Sequence, residues 1–367
     1  MGEQRSLGAI SLATMLVSAH YGLGFVLGTG EATMKGGAVG SLYAVAVGLG
    51  TLALMALANL YWTRVEQIWT LLGDRYGHSV KVGVGLMSWL SLIGIGAVQI
   101  VAAAAILSIV GLPYVTSTVG IAAMFCLLSL LPVERASWLV RGFLLCNIGA
   151  LVYALWQIDR GAAYRQVAFA FLPAVSQIHI TEALGVALST ILLVLVDMKC
   201  QQFVVRSRNL QVAYWGCLLA GLFLIALAFL PAAVVVAAQQ AGILLADTDS
   251  KAVIPYILAW IGGGSSQFWG TILIATLAVP ALGIGSSILR IQTKALLDLA
   301  QVTGDRPQQV LVATVNALCA LGIALKGGEI LGLILCFYAA YLSAVWVPFV
   351  AYLLAVANWL TFSAGSV

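Results

Sequence analysis

Apolar positions along this chain fall in long unbroken runs rather than in the alternation of a half-buried strand. Each run is about 20 residues or more, the length a helix needs to cross the hydrocarbon core of a bilayer. Polar breaks divide the runs into spans near 7–33, 37–61, 80–110, 115–132, 136–158, 181–205, 210–238, 267–290, 308–326 and 328–357. The pattern predicts an all-α membrane protein with about ten transmembrane helices. A stretch at 252–262, carrying Pro255 and running into Gly262, Gly263 and Gly264, reads as a short helix outside the membrane before the eighth span. The spans use up the sequence, so residues 1–367 are expected to form a single transmembrane domain.

Composition agrees. Hydrophobic residues make up 62% of the chain and charged residues 8%, against roughly a quarter charged in soluble domains. No soluble core hides that much apolar surface, so the lipid bilayer is the expected solvent. The net charge of +4 says little, but its distribution sets an orientation. With the N-terminus in the cytoplasm, Lys35, Arg160, Arg165, Lys251 and Lys326 fall outside and the other 12 of the 17 basic residues fall inside. This predicts a multi-pass inner-membrane protein with both termini cytoplasmic. Met1 to Arg5 lead straight into the first run without a small-residue cleavage site, so that run is read as a retained helix. The cysteines Cys126, Cys146, Cys200, Cys217, Cys319 and Cys336 show no CxxC spacing, and they read as small buried side chains rather than metal ligands.

The first span is unusual. Gly22, Gly24, Gly28 and Gly30 put four glycines into nine residues, which makes a poor continuous helix. Backbone groups freed at membrane depth need partners within the protein or a water-filled cavity, so a glycine-broken helix points to a binding site. Close packing of small residues against another helix accounts for the same glycines equally well. His20 adjoins them. With an ordinary pKa of about 6.5 it is either a proton carrier or a neutral imidazole bonded to a backbone carbonyl. Tyr21 reads as a lid over solute or as a packed aromatic. Glu31 and Lys35, four apart, share a helix face and can pair.

Other polar groups stand inside later spans. Gln99 in the third needs hydrogen-bond partners from another helix or from solute. Ser189 and Thr190 in the sixth either bond back to their own helix or face the broken first span. Asp197, Lys199, Arg206 and Arg208 cluster where the sixth span ends, as topology-setting charge or as a gate pair. Tyr338, Tyr341 and Ser343 mark the tenth.

Four segments together resemble the sodium:solute symporter family. They are the glycine-rich helix followed by Lys35-Gly36-Gly37; Val65-Glu66-Gln67-Ile68-Trp69 through Asp74-Arg75-Tyr76-Gly77, with Gln99 beyond; Asp197 through Gln201-Gln202, with Arg206 and Arg208; and Ser286-Ser287 through Thr293-Lys294-Ala295-Leu296-Leu297-Asp298. The resemblance implies a LeuT-like five-plus-five inverted repeat, with repeat one near 7–158 and repeat two near 181–357. It implies a solute site beside the broken first and sixth spans, and a moving bundle of spans one, two, six and seven. The substrate-binding residues it implies are Tyr21, Gly22, Gly24, Gly28, Gln99, Ser189, Thr190 and Tyr341. His20, Ser286 and Ser287 are the ion-coupling candidates, for Na+ or H+. The chain departs from the family where sodium-binding hydroxyls are due, since Leu282 and Gly283 stand there after Pro280.

No GxSxG, HExxH or GxxxxGK[ST] motif is present, and the three histidines are far apart in sequence. An enzyme, an ATPase and nucleic-acid binding are therefore not expected, nor is a cofactor. The expectation is a secondary active transporter of a small polar organic solute working by alternating access. A solute sensor that signals to a partner is the runner-up.

Overall fold

The computed structural model describes residues 5–63, 67–130, 133–159, 161–244, 248–302 and 304–356, without the side chains of 133–141, 143, 279 and 280. Met1, Val65, Glu66 and Arg160, named above, lie outside the described residues, as does the side chain of Pro280. The helices in chain order are α1 (Ala9–His20), α2 (Leu23–Gly36), α3 (Leu42–Ala53), α4 (Ala58–Thr63), α5 (Ile68–Tyr76), α6 (His78–Ile109), α7 (Tyr114–Ser129) and α8 (Val133–Asp159). They continue with α9 (Ala162–Val175), α10 (Ile180–Val196), α11 (Met198–Val204), α12 (Leu210–Gln240), α13 (Val253–Ile261), α14 (Phe268–Leu299), α15 (Arg306–Lys326) and α16 (Ile330–Val356).

Among the described residues, six helical stretches are long and apolar enough to cross a membrane: 23–63, 78–109, 210–240, 268–299, 306–326 and 330–356. The pair α9–α10, bent by 117°, makes a seventh if the two helices are taken as one span. The surface is that of a protein dissolved in lipid. Leu127, Trp156, Phe169, Leu172 and Leu311 are among the exposed apolar side chains, while Gln99, Asn147, Gln292, Thr293 and Asn316 are buried. The chain is a multi-pass membrane protein.

Two helix groups emerge from the packing. In one, α6, α7, α14 and α15 all pack on one another. Polar contacts tie this group together: Trp89 Nε1 donates to Asn316 Oδ1 at 2.8 Å, and Arg290 donates to the Ser129 and Leu128 carbonyls at 3.1 and 3.3 Å. The latter satisfies carbonyls that the end of α7 leaves without helical partners. In the other group α12 packs on α3 and α1, and α3 packs on α10. These are the first, second, sixth and seventh spans of the sequence reading. Helix α8 packs on both α12 and α14, and α16 on both α6 and α10, so these two lie between the groups.

Several elements differ from expectation. The first span is two helices separated at Tyr21 and Gly22, while Gly24, Gly28 and Gly30 lie within a regular α2. These three glycines serve close packing. A Cβ on Gly24 would stand 2.8 Å from Ile334 Cδ1, and one on Gly30 would stand 2.7 Å from Ile254 Cγ1. Helix α9 was not expected; Arg165, Gln166 and Pro173 interrupt its apolar pattern. The short helix expected near 252–262 is present as α13, with Val253, Ile254, Ile257 and Leu258 fully buried against the bundle.

Candidate functional site

Two helix breaks meet inside the bundle. The first lies between α1 and α2. Tyr21 leaves helical geometry (φ −77°, ψ 73°) and Gly22 is extended (φ −112°, ψ −172°). A Cβ on Gly22 would stand 2.8 Å from Ile284 Cδ1 and 3.8 Å from Gln99 Oε1, so α14 and α6 close on the backbone here. The second break is at Asp197, extended between α10 and α11 (φ −71°, ψ 121°). Its carboxylate caps α11 by accepting from Lys199 N at 2.9 Å. A short polar side chain that accepts from the first free N–H groups favours a helix start at this point.

Carbonyls at both breaks receive donors from outside their own helix, as a low-dielectric interior favours. At the end of α10, the Val196 carbonyl accepts from Tyr341 Oη at 3.4 Å and from Gln201 Nε2 at 3.5 Å. The Leu195 carbonyl accepts from the Tyr61 hydroxyl. At the end of α1, the Lys199 ammonium approaches the Ala19 carbonyl at 3.5 Å and pairs with Asp197 Oδ2 at 3.3 Å. Lys199 therefore joins the two breaks. His20 Nε2 meets Cys200 Sγ at 3.1 Å across the same gap.

Two cavities flank this centre. A cavity of about 30 Å³, room for one or two waters, borders the second break and is lined by Ser88, Ser91, Asp197, Lys199 and Tyr341 among others. A larger one of about 370 Å³ opens at one end of the bundle, where Glu31, Lys35, Tyr43, Glu182 and Glu329 contribute to its wall. Tyr43 of this vestibule reaches inward to the Tyr338 hydroxyl at 3.5 Å. At the rim Lys35 pairs with Glu329 rather than with Glu31. Glu31 Oε2 instead accepts from Ile330 N at 2.7 Å, capping α16 from α2.

Of the residues singled out from sequence, His20, Tyr21, Gly22, Gln99 and Tyr341 gather around the breaks. Tyr21 Oη and Gln99 Oε1 are buried without a hydrogen-bond partner among the described residues. Gly24 and Gly28 sit in α2 against α16. Ser189 and Thr190 lie on α10, which packs on α3 and α16; α11 is the element that meets α1. Ser189 donates back to the Gly185 carbonyl at 2.6 Å. On α14, Ser286 and Ser287 both donate to the Gly283 carbonyl of their own helix, at 3.1 and 2.7 Å. Sequence reasoning passed over Cys200, which reads as apolar filler. The usable signal was its place three residues after Asp197, where an N-cap residue interrupts an apolar run.

Neither a protein-family model nor a curated protein matches this sequence. Solved structures do. A Na+-coupled sialic acid symporter, in a substrate-bound outward-open state, superposes with a TM-score of 0.69 over 94% of this chain and 80% of its own, at 14% identity. A manganese transporter from Eremococcus coleocola superposes with a TM-score of 0.61 over 95% and 78%, at 12% identity. The chain thus shares the all-α fold of these two proteins.

Proposed function

We propose that this protein is a secondary active transporter that moves a small polar organic solute by alternating access, with the solute bound where the two broken helices meet. One observation carries the reading: the breaks at Tyr21–Gly22 and at Asp197 stand side by side, with a part-buried ion pair and unpartnered polar atoms beside them. Broken helices at membrane depth expose dipole ends that bind charged or polar groups. The two helix groups supply the parts for alternating access. The group holding α1, α3, α10 and α12 would rock against the group holding α6, α7, α14 and α15, as a LeuT-type inverted repeat of ten spans would do. A cavity of about 30 Å³ beside Asp197 and a vestibule whose Tyr43 meets the Tyr338 hydroxyl supply space next to the second break.

Sodium coupling finds little support in α14. Ser286 and Ser287 both turn to the Gly283 carbonyl of their own helix, and the side chain that stands nearest Gly22 on α14 is the apolar Ile284. The proton is the coupling ion we propose, carried on His20. The test is solute counterflow in proteoliposomes over a panel of amino acids, sugars and small carboxylates. The reading expects at least one solute to exchange. It expects uptake to rise as external pH falls, to survive replacement of sodium by choline, and to lose its pH response in His20→Gln. A folded, reconstituted protein that exchanges nothing, or strict sodium dependence with an unaltered His20→Gln, overturns the solute or the ion assignment respectively.

A further inference from the structure

The helix-break centre also gathers a mixed set of donor atoms, one of them on His20, so that a metal ion and the coupling proton would compete for that imidazole. His20 from the end of α1, and Asp197 and Cys200 from the start of α11, place one nitrogen, one oxygen and one sulfur within 4.8 Å of one another. We propose that these three side chains form a binding site for a transition-metal dication of borderline softness, such as Zn2+ or Co2+.

The chemistry of the donors selects the ion. Imidazole and thiolate favour zinc-like and cobalt-like ions, whereas Na+, Mg2+ and Ca2+ take oxygen ligands. In a tetrahedral site with metal–nitrogen near 2.0 Å and metal–sulfur near 2.3 Å, the two donors stand about 3.5 Å apart. His20 Nε2 and Cys200 Sγ are 3.1 Å apart, so they need to separate by about 0.4 Å. That is within the reach of a side-chain adjustment. Three protein ligands leave the fourth position for water or for a donor atom of a solute.

Charge balance is met to within one unit. Asp197 as carboxylate and Cys200 as thiolate offset the two charges of a dication, and the Lys199 ammonium beside them leaves the centre one unit positive. On binding, the S–H bond of Cys200 breaks, its proton leaves to solvent water and a metal–sulfur bond forms; no electron is transferred. The Lys199 ammonium now occupies the cationic position at Asp197, 3.3 Å from Oδ2. An arriving metal ion replaces it there, and the ammonium retains the Ala19 carbonyl at 3.5 Å. The entrance suits a cation as well. The vestibule wall carries Glu31, Glu182 and Glu329 against Lys35 alone. Donors from α1 and α11 close on one ion, so metal binding would also fasten the two breaks together.

The experiment is titration of the purified full-length protein with cobalt(II) chloride in detergent, followed by absorption. The expected result is one equivalent bound, with tetrahedral d–d bands in the visible and a thiolate-to-cobalt charge-transfer band in the near ultraviolet. Zinc chloride should bleach both. Cys200→Ser should remove the charge-transfer band, and His20→Gln should weaken cobalt binding at least about tenfold. A variant with the other five cysteines replaced by serine should keep the band. Absence of the band in folded wild-type protein, or its persistence in Cys200→Ser, overturns the site. Solute counterflow is not involved, so failure here is distinguishable from failure of the transport reading.

Discussion

The Asp197–Lys199 pair gives the most quantitative handle on how the breaks are held. Both side chains are largely buried, with 10% and 15% of their surface exposed, and their charged atoms stand 3.3 Å apart. Coulomb attraction at that distance, with an effective dielectric near 20, amounts to about 5 kcal/mol. The exposure that remains and the desolvation of both ions reduce the net value. Removing one partner is a different matter, because it strands the other charge in the interior at a cost of about 3–5 kcal/mol. Asp197→Asn isolates the charge, since its amide oxygen still caps α11 through Lys199 N. Lys199→Met strands the carboxylate. Each single variant should lose about 3 kcal/mol or more, whereas the double variant, with no buried charge left, should fall within about 1 kcal/mol of wild type. Equilibrium unfolding in mixed detergent micelles, followed by circular dichroism and tryptophan emission, reads the cycle. A double variant that loses the sum of the two singles would refute a direct pairing and place Lys199 elsewhere.

Three further outcomes follow from the packing and the charge pattern. Gly30→Val should destabilise by about 1–3 kcal/mol, because its Cβ meets Ile254 Cγ1 at 2.7 Å between two helices; an unchanged unfolding midpoint would mean that α2 and α13 are not in contact. Glu31→Ala should cost about 1 kcal/mol through loss of the cap on Ile330 N, with hydrogen exchange rising first at the start of α16; uniform exchange would deny the cap. Reporter fusions after Gly242 should read periplasmic and those after Gly304 cytoplasmic, as the basic-residue bias demands, and the reverse pattern would invert the orientation.

Much of this arrangement was legible in the sequence because the bilayer simplifies the problem. Long apolar runs located most helices, and the glycines located the first break to within a few residues. What they could not do was separate Gly22, where the chain bends, from Gly24 and Gly30, where it packs; both uses call for the absence of a side chain. The second break was marked only by Asp197, whose carboxylate reads by default as topology-setting charge. Local spacing suggested Glu31 with Lys35, but Lys35 pairs with Glu329, 294 residues away, and no single-chain pattern reports such a contact. Cys200 passed as apolar filler because nothing in sequence shows that His20 lies 3.1 Å from its sulfur. Helix α9 was hidden by the polar residues on one face and by Pro173, which obscured its apolar stripe.

The most direct test of alternating access at the breaks uses Cys200 itself, which is fully buried in this conformation. With the other five cysteines replaced by serine, membrane-impermeant thiol reagents would be applied to reconstituted protein from one face and then from the other. The account predicts slow labelling of Cys200 from either face, with both rates changed by a transported solute. Labelling from one face only, or from neither while solute counterflow proceeds, would contradict it.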